Sequence, residues 1–164
     1  MRARVLPAWL LAALFALLLA ACATPPRPVV PPGTQVWTGR LALTVEGQAS
    51  QSFSAGFELT GAPEAGELKL TNPLGGTVAV LAWAPGSATL RSGGNTRQFE
   101  SLEALAQEAT GAPIPIAALF DWLAGNATPV AGWQADVSQV AEGRLRARRV
   151  DPPPAADLRV AFEH

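Results

Sequence analysis

Few residues in this 164-residue chain could do covalent or acid–base chemistry, and they do not cluster. Cys22 is the only cysteine, so no intramolecular disulfide can form and any chemistry at its thiol is of another kind. His164, the only histidine, is the last residue and is expected to fray. Neither a Ser-His-Asp arrangement nor a histidine metal site therefore has a centre. No phosphate loop of the form G-x-x-x-x-G-K-[ST] occurs. The carboxylates are scattered over turns and strand edges. Asp121, beside Trp122, is the one to watch, because a charge near an apolar stripe can be a buried, perturbed group, although the wet side of a helix explains it more simply. The sequence predicts no catalytic residue, no metal, no cofactor and no enzyme.

The surroundings of Cys22 suggest what its thiol is for. Arg2 and Arg4 precede an apolar run from Val5 to Ala20, and Leu19-Ala20-Ala21-Cys22 ends it in small residues. So short a run, closed by a cleavage-like site, reads as a signal peptide over residues 1–21 rather than a spanning helix. The tetrad resembles a bacterial lipobox, which implies cleavage before Cys22 and a diacylglycerol on its sulfur. Ala23 rather than Asp follows the cysteine, which by analogy with bacterial sorting rules points to the outer membrane. Residues 22–35 then form a lipidated cysteine and a tether, since the five prolines between Ala23 and Gly33 exclude a helix or a central strand.

Loss of residues 1–21 would remove two basic and no acidic residues, moving the formal charge from −1 to −3. That balance argues against nucleic acid as a partner. One domain, residues 36–164, remains, long enough for a single core.

What the chain offers in place of catalysis is apolar surface. Leu70-Thr71-Asn72-Pro73-Leu74-Gly75-Gly76 is a tight turn with a bare leucine at its tip. Asn72 can hydrogen-bond its own backbone, Pro73 fixes φ, and the glycines accept angles other residues resist. Leu74 there either folds back onto the protein or meets something apolar outside it, forgoing otherwise the roughly 1.5–3 kcal/mol of burial.

The elements that must carry this turn are mostly strands. Trp37, Gly39, Leu41, Leu43 and Val45 alternate with polar residues, and Ser50 to Leu59 puts Phe53, Ala55, Phe57 and Leu59 on one side. Glu67 to Thr71 follows. Thr77 to Ala84 is apolar on both faces, so one face packs in the sheet and the other needs a helix or a lipophilic ligand as cover. Two more strands, Ala88 to Ser92 and Thr96 to Glu100, precede a change of period. Ser101 is a plausible N-cap for a helix carrying Leu102, Leu105, Ala106 and Ala109 and stopped by Gly111. A second helix, Ile116 to Ala124, presents Ile116, Leu119, Phe120 and Leu123 before Gly125. Three final strands, Trp133 to Val140, Arg144 to Val150 and Asp157 to Phe162, bring the count to about nine. The middle one lines up Arg144, Arg146 and Arg148, a solvated stripe or a seat for an acidic partner or phospholipid headgroups.

From Trp37 onward the chain resembles the LolB family of outer-membrane lipoprotein insertases. The resemblance rests on Leu68-Lys69-Leu70-Thr71-Asn72-Pro73-Leu74-Gly75 and Thr110-Gly111-Ala112-Pro113-Ile114-Pro115-Ile116, followed by Leu119, Trp122, Leu123 and Gly125. Gly39-Arg40 and Gly132-Trp133 add weaker support. It implies a mainly β fold of the α+β kind, an unclosed antiparallel β-barrel with a lid or plug of two short helices around an apolar cavity. It further implies a lipid-anchored monomer at the outer membrane, facing the periplasm. Such a protein accepts acylated lipoproteins from a LolA-like periplasmic carrier and releases them into outer-membrane phospholipid. The family's membrane-inserting leucine falls on Leu74, flanked by Pro73 and Gly75.

Candidate residues for the acyl-chain cavity are Leu43, Phe53, Phe57, Leu81, Trp83, Leu105, Ile116, Phe120 and Leu123. Two features depart from the family: no helix precedes Trp37, and nine strands are fewer than is typical. The alternative is a non-catalytic envelope lipoprotein that serves as a lipid-binding scaffold or sensor.

Overall fold

Nine strands, every neighbouring pair antiparallel, form one sheet in a computed structural model that describes residues 34–110 and 114–163. Expectations that fall on Cys22, the leader, the tether up to Gly33, the helix stop at Gly111, and His164 lie outside the described residues.

The chain enters at the middle of the sheet. β1 (Gln35–Val45), β2 (Phe53–Gly61), β3 (Gly66–Thr71), β4 (Thr77–Ala84), β5 (Ser87–Ser92) and β6 (Asn95–Phe99) meander outward to one edge. Two helices follow, α1 (Leu102–Thr110) and α2 (Ile116–Leu123). The chain re-enters at the far edge with β7 (Trp133–Asp136) and returns through β8 (Arg144–Arg149) and β9 (Ala156–Glu163), which pairs with β1. β6 and β7 are thus the two free edges of an unclosed barrel, and the helical segment is the link between them.

The alternating pattern is the reason for the curl's two faces. Trp37, Leu41, Leu43 and Val45 of β1 are buried, as are Leu158, Val160 and Phe162 of β9, while Thr38, Arg40, Thr44, Arg159 and Ala161 between them are exposed. The buried side chains of both arms of the sheet and of both helices join in one continuous core.

Ser101 caps α1, its hydroxyl oxygen accepting the Ala104 N–H at 3.1 Å. That helix lies on β4, β5 and β6 and buries Leu105 and Ala106 completely. An ion pair between Arg97 of β6 and Glu108 of α1, 2.6 Å apart and about half exposed, adds little to its stability. α2 differs in kind, for six of its eight residues are buried. A helix apolar on nearly every side is a plug rather than a surface lid.

Two strands are shorter than the sequence predicts. β2 begins at Phe53 because Ala49–Gln51 forms a 3-10 turn, and the Ser52 hydroxyl accepts the Val45 N–H at 2.9 Å. β7 stops at Asp136, well before Val140, because the Asp136 carboxylate accepts the Ser138 N–H at 3.0 Å and bends the chain. Hydrogen bonds from the Ser138 side chain and backbone, with help from Arg146, hold that carboxyl below the usual aspartate value.

β4 resolves the expectation of two covers. Ala79, Leu81 and Trp83 face the helices, whereas Val80 on the other side is paired in register with Lys69 and Arg91. Long basic side chains cover neighbouring apolar surface with their methylenes, so a second helix is unnecessary there.

Candidate functional site

Beneath α2 the concave face of the sheet holds a pocket whose lining is entirely apolar. Leu41, Phe57, Leu59, Leu68, Leu70 and Val160 supply the sheet side, and Ile114, Ile116, Leu119 and Leu123 supply the roof, with Phe53 at the margin. Its volume is about 20 Å³, barely the space of one water. Pockets that enclose a ligand run to about 300–1,000 Å³, so the acyl-chain void expected from the sequence is not open here: α2 fills the concave face.

An aromatic pin holds the plug down. Phe120 of α2 stands edge-on to Trp37 of β1, centroids 5.6 Å apart, and to Trp83 of β4, 6.1 Å apart, both at 77°. Trp83 is itself fixed, because its indole N–H donates to the carbonyls of Ala62 and Pro63 at 3.2 and 3.0 Å. Edge-to-face pairs of this kind add about 0.5–1.5 kcal/mol each to the burial of the rings.

The far end of α2 is tied by Trp122, which is fully buried beside Trp133; the Trp122 indole N–H donates to the Thr128 carbonyl at 2.8 Å. Asp121 also belongs to this tie, accepting the Thr128 hydroxyl proton at 2.8 Å. Its neighbourhood is structural rather than catalytic.

Of the nine cavity residues expected from sequence, Phe53, Phe57, Ile116 and Leu123 line the pocket. Leu43, Leu81, Trp83, Leu105 and Phe120 are buried in the packed core around it instead. The sequence reading missed Leu41, Leu59, Leu68, Leu70, Ile114, Leu119, Leu158 and Val160 as lining. Leu41 and Leu59 share strand faces with Leu43 and Phe57, Leu68, Leu70, Leu158 and Val160 follow the same alternation on β3 and β9, and Leu119 lies on the apolar stripe of α2.

At the β3–β4 turn Leu74 is 95% exposed, the most exposed large apolar side chain among the described residues. Its platform is polar and rigid. The Asn72 side-chain oxygen accepts the N–H groups of Leu74 and Gly76 at 3.0 and 2.9 Å, and the Asn72 N–H donates to the Gly76 carbonyl at 2.8 Å. Gly75 has φ of 83°, a region that side chains other than glycine resist. Pro73 completes the turn. Asn72→Ala should therefore loosen the tip more than it destabilises the fold: about 1 kcal/mol in a denaturant melt, with faster amide exchange confined to residues 72–76.

An antiparallel sheet open along one seam, with a buried helix over an all-apolar pocket, defines the chain as an unclosed-barrel protein. The family model described as "Outer membrane lipoprotein LolB" matches residues 35–151. The chain belongs to the LolB family of outer-membrane lipoproteins. Outer-membrane lipoprotein LolB of Bordetella petrii is 34% identical over 182 aligned positions, spanning 93% of this chain and 90% of that protein. The Bordetella pertussis protein of the same name is 39% identical over 114 positions, 66% of this chain but only 57% of its own length. That of Chromobacterium violaceum is 31% identical over 121 positions, 70% of this chain and 66% of the relative.

Proposed function

We propose that this protein is a receptor and insertase: it takes acylated lipoproteins from a LolA-like periplasmic carrier and releases them into the outer membrane that holds its own anchor. The observation that carries the reading is the wholly apolar pocket under the buried helix α2, in a chain of this family. Transfer needs no catalytic group and no cofactor. A methylene that passes from one dry environment to another changes little in free energy, whereas one left in water costs about 0.8 kcal/mol. The cavity must therefore meet the carrier mouth to mouth, and Leu74 then supplies an apolar contact with the bilayer.

The test is to mix the acylated full chain, in liposomes, with a carrier–lipoprotein complex and follow the lipoprotein into the lipid fraction. Failure to strip the carrier would leave only the scaffold or sensor reading. Cys22 carries the anchor in this account. Cys22→Ala should move the protein from the membrane to the soluble periplasmic fraction, read by fractionation, while the purified protein still strips lipoprotein from the carrier.

A further inference from the structure

The outer face of β1, β9 and β8 gathers five of the chain's twelve basic residues, all exposed: Arg40, Arg159, Arg144, Arg146 and Arg148. The register arranges them in rows. Thr71, Gly56, Arg40, Ala161 and Arg144 follow one another across β3, β2, β1, β9 and β8. Two residues along, about 7 Å, the next row holds Ser54, Ala42, Arg159 and Arg146. Arg148 stands in the row after that, opposite Asp157. The two alanines leave an open groove of about 360 Å³ floored between Arg40, Arg144, Arg146 and Arg159.

Direction along the strands decides what this basic face looks toward. Thr71 is the last residue of β3, and the step from the Arg40 row to the Arg159 row runs toward the Leu74 turn. The opposite step reaches Thr38, whose partners on either side are the acidic Glu58 and Glu163. That row also carries Lys69 opposite Glu58 and Arg91 beyond Val80, so its charges balance, whereas the rows from Arg40 toward the Leu74 end carry an excess of positive charge. Asp157 pairs with Arg159 at 2.6 Å and Asp136 faces Arg146, yet among the described residues the other four arginines form no ion pair. Positive charge is left over in a chain whose formal charge is −1.

We propose that this face is a docking surface for the phosphates of anionic phospholipids, which turns the tethered barrel so that the Leu74 loop meets the bilayer. Charge complementarity names the occupant, and the anchor supplies the proximity; to that extent the inference rests on the proposed outer-membrane role. Arginine forks suit phosphate oxygens, and five of them on a rigid sheet hold one orientation better than a flexible basic tail would.

The experiment places an environment-sensitive fluorophore on Ser54→Cys, an exposed position beside the groove. The full acylated chain, whose Cys22 thiol is occupied by lipid, is reconstituted in phosphatidylcholine vesicles with and without phosphatidylglycerol. Emission should rise about twofold with the anionic lipid and fall back at 1 M salt, where screening reaches about 3 Å. Arg144→Gln with Arg146→Gln should hold it at the neutral-vesicle level, in a protein of unchanged circular dichroism. Equal emission on both vesicles, a double variant that behaves as wild type, or a response only to added carrier protein would each overturn the proposal. Lipoprotein delivery into neutral vesicles is scored separately, so a failure of the receptor reading appears there and leaves this readout intact.

Discussion

Leu74→Glu should leave the fold untouched and cut lipoprotein delivery to liposomes by about a hundredfold. The first half follows from exposure: a side chain 95% in water makes almost no packing contacts, and such substitutions usually stay within about ±0.5 kcal/mol. The turn keeps its own support, since its bonds run through the Asn72 side chain and the backbone rather than through Leu74's. The second half follows from the destination. Placing a charge instead of leucine in the hydrocarbon costs about 3 kcal/mol on insertion scales, which is two powers of ten. The check pairs a thermal melt with a carrier-to-liposome assay. Normal delivery by the glutamate variant would remove Leu74 from the mechanism. Unchanged uptake from the carrier, with the cargo then retained, would place the block at the last step.

The turn was legible from Asn72, Pro73 and the glycines and the unclosed barrel from the family resemblance, while the strands themselves were legible because one side of the sheet is wet. Alternation in Trp37 to Val45 has a single solution when half of the strand meets water, and Trp37, Leu41, Leu43 and Val45 are buried as expected; β9 formed over the expected range with the same alternation. Where a side chain rather than water ends a strand, the pattern misled, as at Asp136, whose carboxylate stops β7 while the apolar alternation runs on to Val137.

Arg149 marks another limit. The parity of β8 sends Arg144, Arg146 and Arg148 outward and turns Arg149 in, where it is 4% exposed. It is tolerated because its Nε and a terminal guanidinium nitrogen both donate to the Pro154 carbonyl, at 3.2 and 2.9 Å. No local spacing announces that partner, since a proline-rich loop delivers it. The division of the interior into pocket and solid core was least legible. Phe53 and Leu43 are register partners on one buried face, yet only Phe53 lines the pocket, because the seat of α2 decides and strand periodicity carries no trace of it.

Phe120→Ala tests whether α2 is the moving part. Removing the ring forfeits its burial and both edge contacts, about 3–5 kcal/mol, and should lower the melting temperature by on the order of 10 °C. If the closed form is simply the core of the protein, binding of a fluorescent fatty-acyl probe should weaken along with stability. A plug that must leave before lipid can enter predicts the reverse. If lipid enters only when α2 leaves, a pocket of about 20 Å³ makes the binding-competent state a minor one, with apparent affinity reduced by its population. Losing the pin raises that population, so probe affinity should increase several-fold as the melting temperature falls. Trp83, anchored to the Ala62 and Pro63 carbonyls, stays with the sheet when α2 leaves. Trp83→Phe, which keeps an aromatic partner for Phe120 but loses those two bonds, should therefore move affinity much less than Phe120→Ala. Parallel losses of stability and affinity in Phe120→Ala would instead mean that α2 is a fixed part of the core.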